Sequence, residues 1–337
     1  MFGFWKAAFV NCGADCSTTV SGGLRVRDPV GPPVNRTVSE GIAYGMLISV
    51  YMGDKTTFDG LWAYARANGA SATGGLMAWQ QDSTGANVNG DSHSASDADE
   101  DMAFALAMAS KQWTGGTYGS AATAMIAAIK ANDVQNNEIR DGDYSSGIDH
   151  PDYAAPDYYK AFATLAGDTS WTSSIYPAEY TVLTGAEDAT SGLIMDSDGA
   201  YDVVRAPWRA GLDYCWNGSS SAKSFLSKSV TWLAQYATAH TDTTYSGVDS
   251  FKMAYTAGGS FGATANACLT GPLGVAFMTG GAADQAYIDG SWDYLHKLVS
   301  LATSSSLNYF DGTLGLLAML SMSANMLDYT NLPPAAQ

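Results

Sequence analysis

Ser96-Asp97-Ala98-Asp99-Glu100-Asp101-Met102-Ala103-Phe104-Ala105-Leu106-Ala107-Met108-Ala109-Ser110-Lys111-Gln112-Trp113 is the stretch from which the fold class follows. Asp97, Glu100 and Asp101 load its first turn, where acids suit the positive end of a helix dipole, and Lys111 sits near its end. Ser96 with Asp99 three residues later reads as a variant of the capping box. The apolar run between the charged ends, 102–109, falls far short of the roughly 18 residues that a membrane helix requires. The stretch therefore predicts one helix of a folded protein rather than a bilayer span.

Working outward in both directions, the 3.6-residue period recurs and strand alternation is almost absent. Helices are expected over 38–52, 57–68, 96–113, 120–131, 156–166, 171–183, 203–216, 222–239, 272–279, 283–302 and 312–326, with room for one more at the N-terminus. Gly69 and Gly167 stand where C-caps belong. Long Gly/Ser/Asn loops, 69–95, 132–155, 185–201 and 241–269, follow alternate helices while the other connections are short. That rhythm fits helix pairs stacked in a ring with one elaborated rim, so the expected class is all-α and the architecture a closed double ring of helices. No linker or shift of composition divides the chain, and we expect one domain over 1–337 with a short tail at 331–337.

The balance of 16 Lys+Arg against 33 Asp+Glu gives a net charge of −17, which disfavours nucleic acid and anionic membrane surfaces as partners. Only 15% of residues are charged, whereas Ser, Thr, Asn, Gly and 19 Tyr are plentiful, a surface suited to neutral hydroxylated ligands. The start, Met1-Phe2-Gly3-Phe4-Trp5-Lys6, lacks a basic n-region and an apolar h-region, so any export signal is absent or already removed. His93, His150, His240 and His296 are scattered singly, and the four cysteines lack zinc-site spacing, so neither metal nor cofactor is expected. Two disulfides, Cys12 to Cys16 and Cys215 to Cys268, fit an exported protein, with four buried thiols as the alternative.

Three acidic segments can carry chemistry. In Ser39-Glu40-Gly41-Ile42-Ala43-Tyr44-Gly45-Met46, Ser39 and Glu40 are either an ordinary helix start or a working acid that shares a face with Tyr44, the glycines leaving room for a close approach. Four acids within Asp97–Asp101 are either a solvated first turn or a carboxylate held against a ligand. Calcium is disfavoured there because the spacing lacks the Gly and terminal Glu of an EF-hand loop. In Tyr201-Asp202-Val203-Val204-Arg205-Ala206-Pro207-Trp208-Arg209, Asp202 lies at a loop-to-helix boundary with Arg205 one turn on.

Together and in this order, the three segments resemble the signatures of glycoside hydrolase family 8. Gly75-Leu76-Met77-Ala78-Trp79, Pro151-Asp152-Tyr153-Ala154-Ala155-Pro156-Asp157-Tyr158-Tyr159 and Asn308-Tyr309-Phe310-Asp311-Gly312 add to the resemblance, which covers roughly residues 1 to 327. It implies an (α/α)6 barrel whose long rim loops form an open cleft, and inverting cleavage of β-1,4-linked glycans. By the resemblance Glu40 is the general acid, Asp202 the general base and Asp97 the carboxylate that positions the sugar at the cleavage point. Tyr44, Trp79, Tyr158, Tyr201, Arg205 and Tyr309 are the implied substrate-binding residues. Trp208, inside a helix, is expected in the core.

The resulting expectation is an endo-acting, secreted and monomeric β-1,4-glucanase of the cellulase type, with no partner but its glycan. A xylanase or chitosanase of the same family is the alternative, and a non-catalytic carbohydrate-binding barrel is the alternative outside it. A polysaccharide lyase fits less well, because 16 basic residues in a chain of −17 are few for neutralising uronates.

Overall fold

The computed structural model describes residues 1–68, 74–194, 204–239, 267–301 and 308–330. In chain order the elements are α1 (Phe2–Phe9), β1 (Thr37–Val38), α2 (Ser39–Tyr51), α3 (Lys55–Asn68), β2 (Gln80–Gln81), α4 (Ser96–Gln112), α5 (Tyr118–Asn132), β3 (Val134–Gln135), β4 (Glu138–Ile139) and α6 (Tyr159–Ala166). There follow α7 (Tyr176–Gly185), α8 (Arg205–Asn217), α9 (Ser220–Ala239), α10 (Ala267–Phe277), α11 (Gln285–Leu301) and α12 (Tyr309–Met322).

Burial separates these helices into two layers. An apolar stripe marks a helix with one face in water, whereas a helix apolar all round must be enclosed. In α5 only Tyr118, Ala122, Met125, Ile126 and Ile129 are buried, a single stripe. Every residue of α10 is buried, as is nearly all of α2 and α12. Alternate helices thus form an inner ring and their neighbours an outer one, which is the (α/α)6 barrel.

Inner helices run parallel, as their level contacts show. Gly41 in the first turn of α2 lies against Tyr309 at the start of α12. Between α4 and α8 the contacts keep step, Arg205 bonding Asp97 in the first turns and Arg209 bonding Asp101 one turn further along both helices. Gly211 of α8 meets Val275 of α10 so closely that a Cβ there would come within 2.8 Å of the Val275 carbonyl oxygen, so only glycine fits. Parallel packing gathers the inner N-termini at one end, bringing Glu40, Asp97, Arg205 and Tyr309 to the same rim.

Several local expectations change. The capping box does not form, because Ser96 is the first residue of α4 and its buried hydroxyl finds no partner among the described residues. Gly167 does close α6 in a left-handed conformation (φ 63°), whereas Gly69 lies outside the described residues. The expected helix 171–183 begins as a π-turn, Trp171–Ile175, before Pro177 enters near the start of α7. The expected 272–279 instead starts at Ala267 and runs through Pro272, since burial on every side outweighs one lost backbone hydrogen bond. A hairpin absent from the sequence expectation joins β3 to β4 through Asn136 and Asn137, both at positive φ as a type I′ turn requires.

Cys12 and Cys16 are joined as expected, but Cys215 and Cys268 are not. Cys215 lies four residues past Gly211 on α8 and Cys268 seven before Val275 on α10, so on parallel helices they stand roughly 16 Å apart along the axis. A disulfide tolerates Cα atoms no more than about 7 Å apart. Among the described residues no helix is long and apolar enough to cross a membrane.

Candidate active site

The rim is organised by a short ribbon. Thr37 pairs with Gln81 and Val38 with Gln80, and the Ser39 N–H donates to the Trp79 carbonyl at 2.8 Å. This pins the first turn of α2 beside Trp79, whose indole N–H is in turn held by Asp91 Oδ2 at 2.8 Å. Glu40 and Trp79 therefore face one cleft of about 470 Å³, together with Asp97, Tyr153 and Tyr309. That size and its mixture of aromatic and carboxylate walls suit a small ligand or a few sugar units.

Arg205, the first residue of α8, is the hub. Its Nη1 donates to Glu40 Oε2 and to Asp97 Oδ2, both at 2.8 Å. Nε donates to Asp152 Oδ2 at 2.8 Å, and the guanidinium lies over the Tyr153 ring with its centre 4.6 Å from the centroid. Glu40 also accepts a hydrogen bond at 2.9 Å from the Tyr309 hydroxyl. What approaches Gly41 closely is thus Tyr309 itself, and Leu61 and Val26 crowd Gly45.

Electrostatics set Glu40 apart. Burial at the cleft floor raises its pKa, Arg205 works against that, and Asp97 adds to it, so the carboxyl is pushed up to about 7. Its side chain keeps 19% exposure toward the cleft. A carboxyl that still holds its proton near neutrality, and can reach a ligand, is equipped to act as a general acid. Burial opposes the charge on Arg205, but the carboxylates around it prevail and hold its pKa well above the ordinary value.

The structure brings together Glu40, Asp97, Arg205, Trp79 and Tyr309 among the residues singled out from the sequence. Tyr201 and Asp202 lie outside the described residues, as do parts of the loops 69–95, 185–201 and 241–269 and the tail 331–337. Tyr44 and Tyr158 need correction. Tyr44 carries no exposed surface and sits edge-on to Trp208, one turn below Glu40. Tyr158 is equally enclosed, stacked on Phe104 at 4.0 Å and donating to Asp101 Oδ1 at 2.7 Å. Neither offers a face to a substrate in this structure. As expected, Trp208 is in the core.

Asp152 and Tyr153 are site residues that the sequence expectation quoted without assigning them a role. The remaining acids of the α4 first turn are not a solvated cap: Asp99, Glu100 and Asp101 are all fully buried. Among the described residues no group of three or more His, Cys, Asp or Glu side chains is arranged to hold a metal ion.

The fold and the acid-lined cleft define the class, a glycoside hydrolase. The profile of the glycosyl hydrolases family 8 matches residues 3–324, and the chain belongs to that family. It is 30% identical to endoglucanase C of Ruminiclostridium cellulolyticum over 313 residues, covering 86% of this chain and 64% of that protein. It is also 30% identical to a β-glucanase of Niallia circulans over 335 residues, covering 87% of this chain and 78% of the other. Among solved structures, a β-1,3-1,4-glucanase of Paenibacillus sp. X4 superposes with a TM-score of 0.83 at 28% identity, over 96% of this chain and 90% of that one. A reducing-end-xylose-releasing exo-oligoxylanase shares the fold, with a TM-score of 0.76 at 20% identity over 96% and 92% of the two chains.

Proposed function

We propose that this chain is an endo-acting β-1,4-glucanase that works with inversion, Glu40 serving as general acid, Asp202 as general base and Asp97 positioning the sugar at the cleavage point. The observation that carries this reading is Glu40 itself, a cleft-facing carboxyl with its pKa pushed up to about 7. Cleaving a glycosidic bond needs a proton on the leaving oxygen and a water driven into the anomeric carbon from the opposite face. Asp202 stands three residues before Arg205 in the chain, and Arg205 touches both Glu40 and Asp97. The glucanase names of the relatives support a glucan substrate, and the Cys12–Cys16 disulfide supports export to an oxidising compartment.

The test is reducing-sugar release from carboxymethylcellulose, mixed-linkage glucan, xylan and chitosan. Wild type is expected to act best on the first two and to lower viscosity early. Glu40→Gln and Asp202→Asn are each expected to lose about 10²- to 10⁴-fold in kcat while still binding oligosaccharides. Proton NMR should show the new reducing end first as the α-anomer. Wild-type activity in Glu40→Gln, or the β-anomer appearing first, rejects the assignment.

A further inference from the structure

A general acid in contact with an arginine is a contradiction unless something offsets the cation. An opposite charge within about 4–6 Å favours the ionised carboxylate and so strips the proton that catalysis needs. Arg205 Nη1 lies 2.8 Å from Glu40 Oε2, well inside that range.

We infer that Asp152 is a positioning residue for the general acid: it anchors the far side of the Arg205 guanidinium and offsets its charge, so that Arg205 orients Glu40 without deprotonating it. The inference rests on Glu40 being the acid, as proposed above.

The geometry divides the guanidinium into two halves. Asp152 takes the Nε side, with Oδ2 at 2.8 Å from Nε and Oδ1 at 3.4 Å from Nη2. Its Oδ2 also accepts from the Arg205 backbone N–H at 3.4 Å, so one carboxylate fixes both the start of α8 and its first side chain. Only Nη1 is left to reach Glu40 and Asp97. Asp152 is fully buried and belongs to the segment before α6, so it reaches Arg205 from a different part of the chain than Glu40 on α2.

Charge counting gives the consequence. With Asp97 and Asp152 ionised, the cluster around Arg205 already carries a net −1 before Glu40 loses its proton. Without Asp152 it is neutral, and Glu40 ionises against less resistance. Among the described residues the other groups facing Glu40 are Tyr44 on its own helix, Tyr309 on α12 and Tyr153 beside Asp152, and none of these tyrosines supplies a charge near neutral pH. Asp152 also raises Glu40's pKa, though less than burial and Asp97 do.

A direct measurement is practical because the chain has only the glutamates Glu40, Glu100, Glu138, Glu179 and Glu187. With carboxyl-¹³C-labelled glutamate, the Glu40 resonance is identified by its loss in Glu40→Gln and titrated in wild type, Asp152→Asn and Asp152→Ser. Its midpoint is expected to fall by about one pH unit in both variants. In parallel the alkaline limb of the kcat/KM profile should move toward acid by a similar amount while the acid limb stays in place. An unmoved Glu40 midpoint in folded Asp152→Asn or Asp152→Ser, with activity merely scaled down, overturns the inference and makes Asp152 structural. Wild-type activity in Glu40→Gln overturns instead the assignment of the acid, whatever the Asp152 variants do.

Discussion

Two arginines one helical turn apart on α8 face two aspartates one turn apart on α4, and the pairs have opposite fates. Arg209 meets Asp101 in a two-pronged pair, Nη1 to Oδ1 and Nη2 to Oδ2, both at 3.0 Å, and both side chains are buried. Tyr158 donates to the same carboxylate, and the guanidinium lies near the Tyr158 and Trp208 rings. Arg205, one turn nearer the rim, serves Glu40, Asp97 and Asp152 at once, and two of these partners, Glu40 and Asp97, line the cleft. A two-pronged pair of one cation and one anion, closed off in the interior, is a structural tie between helices. An arginine shared among three carboxyl groups leaves one of them able to carry a proton, which is what the proposed reaction requires of Glu40.

The largest effect that tests this contrast is at the deeper pair. Arg209→Met leaves Asp101 without its cation in a closed interior, and breaking such a pair costs about 3–5 kcal/mol. Urea unfolding should show that loss, whereas kcat/KM per folded molecule should change far less. An unchanged urea midpoint with activity abolished would show that the inner pair is machinery after all.

At the rim the expected loss is in rate. Arg205→Lys keeps the charge but not the planar fork, so one ammonium cannot hold Asp152, Asp97 and Glu40 in their present geometry. Losing a positioned donor of this kind typically costs about 10²- to 10³-fold, and we expect kcat/KM to fall by that much. The urea midpoint should move less than in Arg209→Met. The comparison fails if the two substitutions give the same balance of stability and rate.

The same two turns show what could and could not be read from sequence. Helices were legible because burial on all sides forces apolar runs such as Met102 to Ala109, and acids at a helix start are visible as letters. Which acid faces a cleft is not visible, because Asp97 and Asp101 differ only by one turn of depth along a parallel inner ring. A signal was nevertheless present: Asp97 and Asp101 are four apart, and so are Arg205 and Arg209, the spacing expected of two stacked ion pairs between neighbouring helices. Tyr158 and Trp79 lie in equally suggestive motifs, yet packing against Phe104 and Trp216 encloses the tyrosine while the short β1–β2 ribbon carries the tryptophan to the rim. Tertiary packing decides such choices. Asp152 went unassigned because its partner is 53 residues away in the chain.

The smallest expected effect sharpens the rim site from the other direction. Tyr309 donates its O–H to Glu40 Oε1, a bond that is stronger to the carboxylate than to the acid and therefore lowers the pKa of Glu40. With Glu40 as the proposed general acid, active only when protonated, kcat/KM should fall as pH rises through about 7, the value to which burial pushes this group. Removing the hydroxyl in Tyr309→Phe withdraws support from the ionised form, so the alkaline limb should move to higher pH by about half a unit, equivalent to less than ~1 kcal/mol. That is the opposite direction from Asp152→Asn, and the opposition is the informative part. Tyr309 also lines the cleft, so the height of the profile will drop for reasons of substrate contact, but the position of the limb does not depend on that height. If Tyr309→Phe and Asp152→Asn shift the limb in the same direction, the limb does not report Glu40, and the proton governing activity resides elsewhere in the cleft.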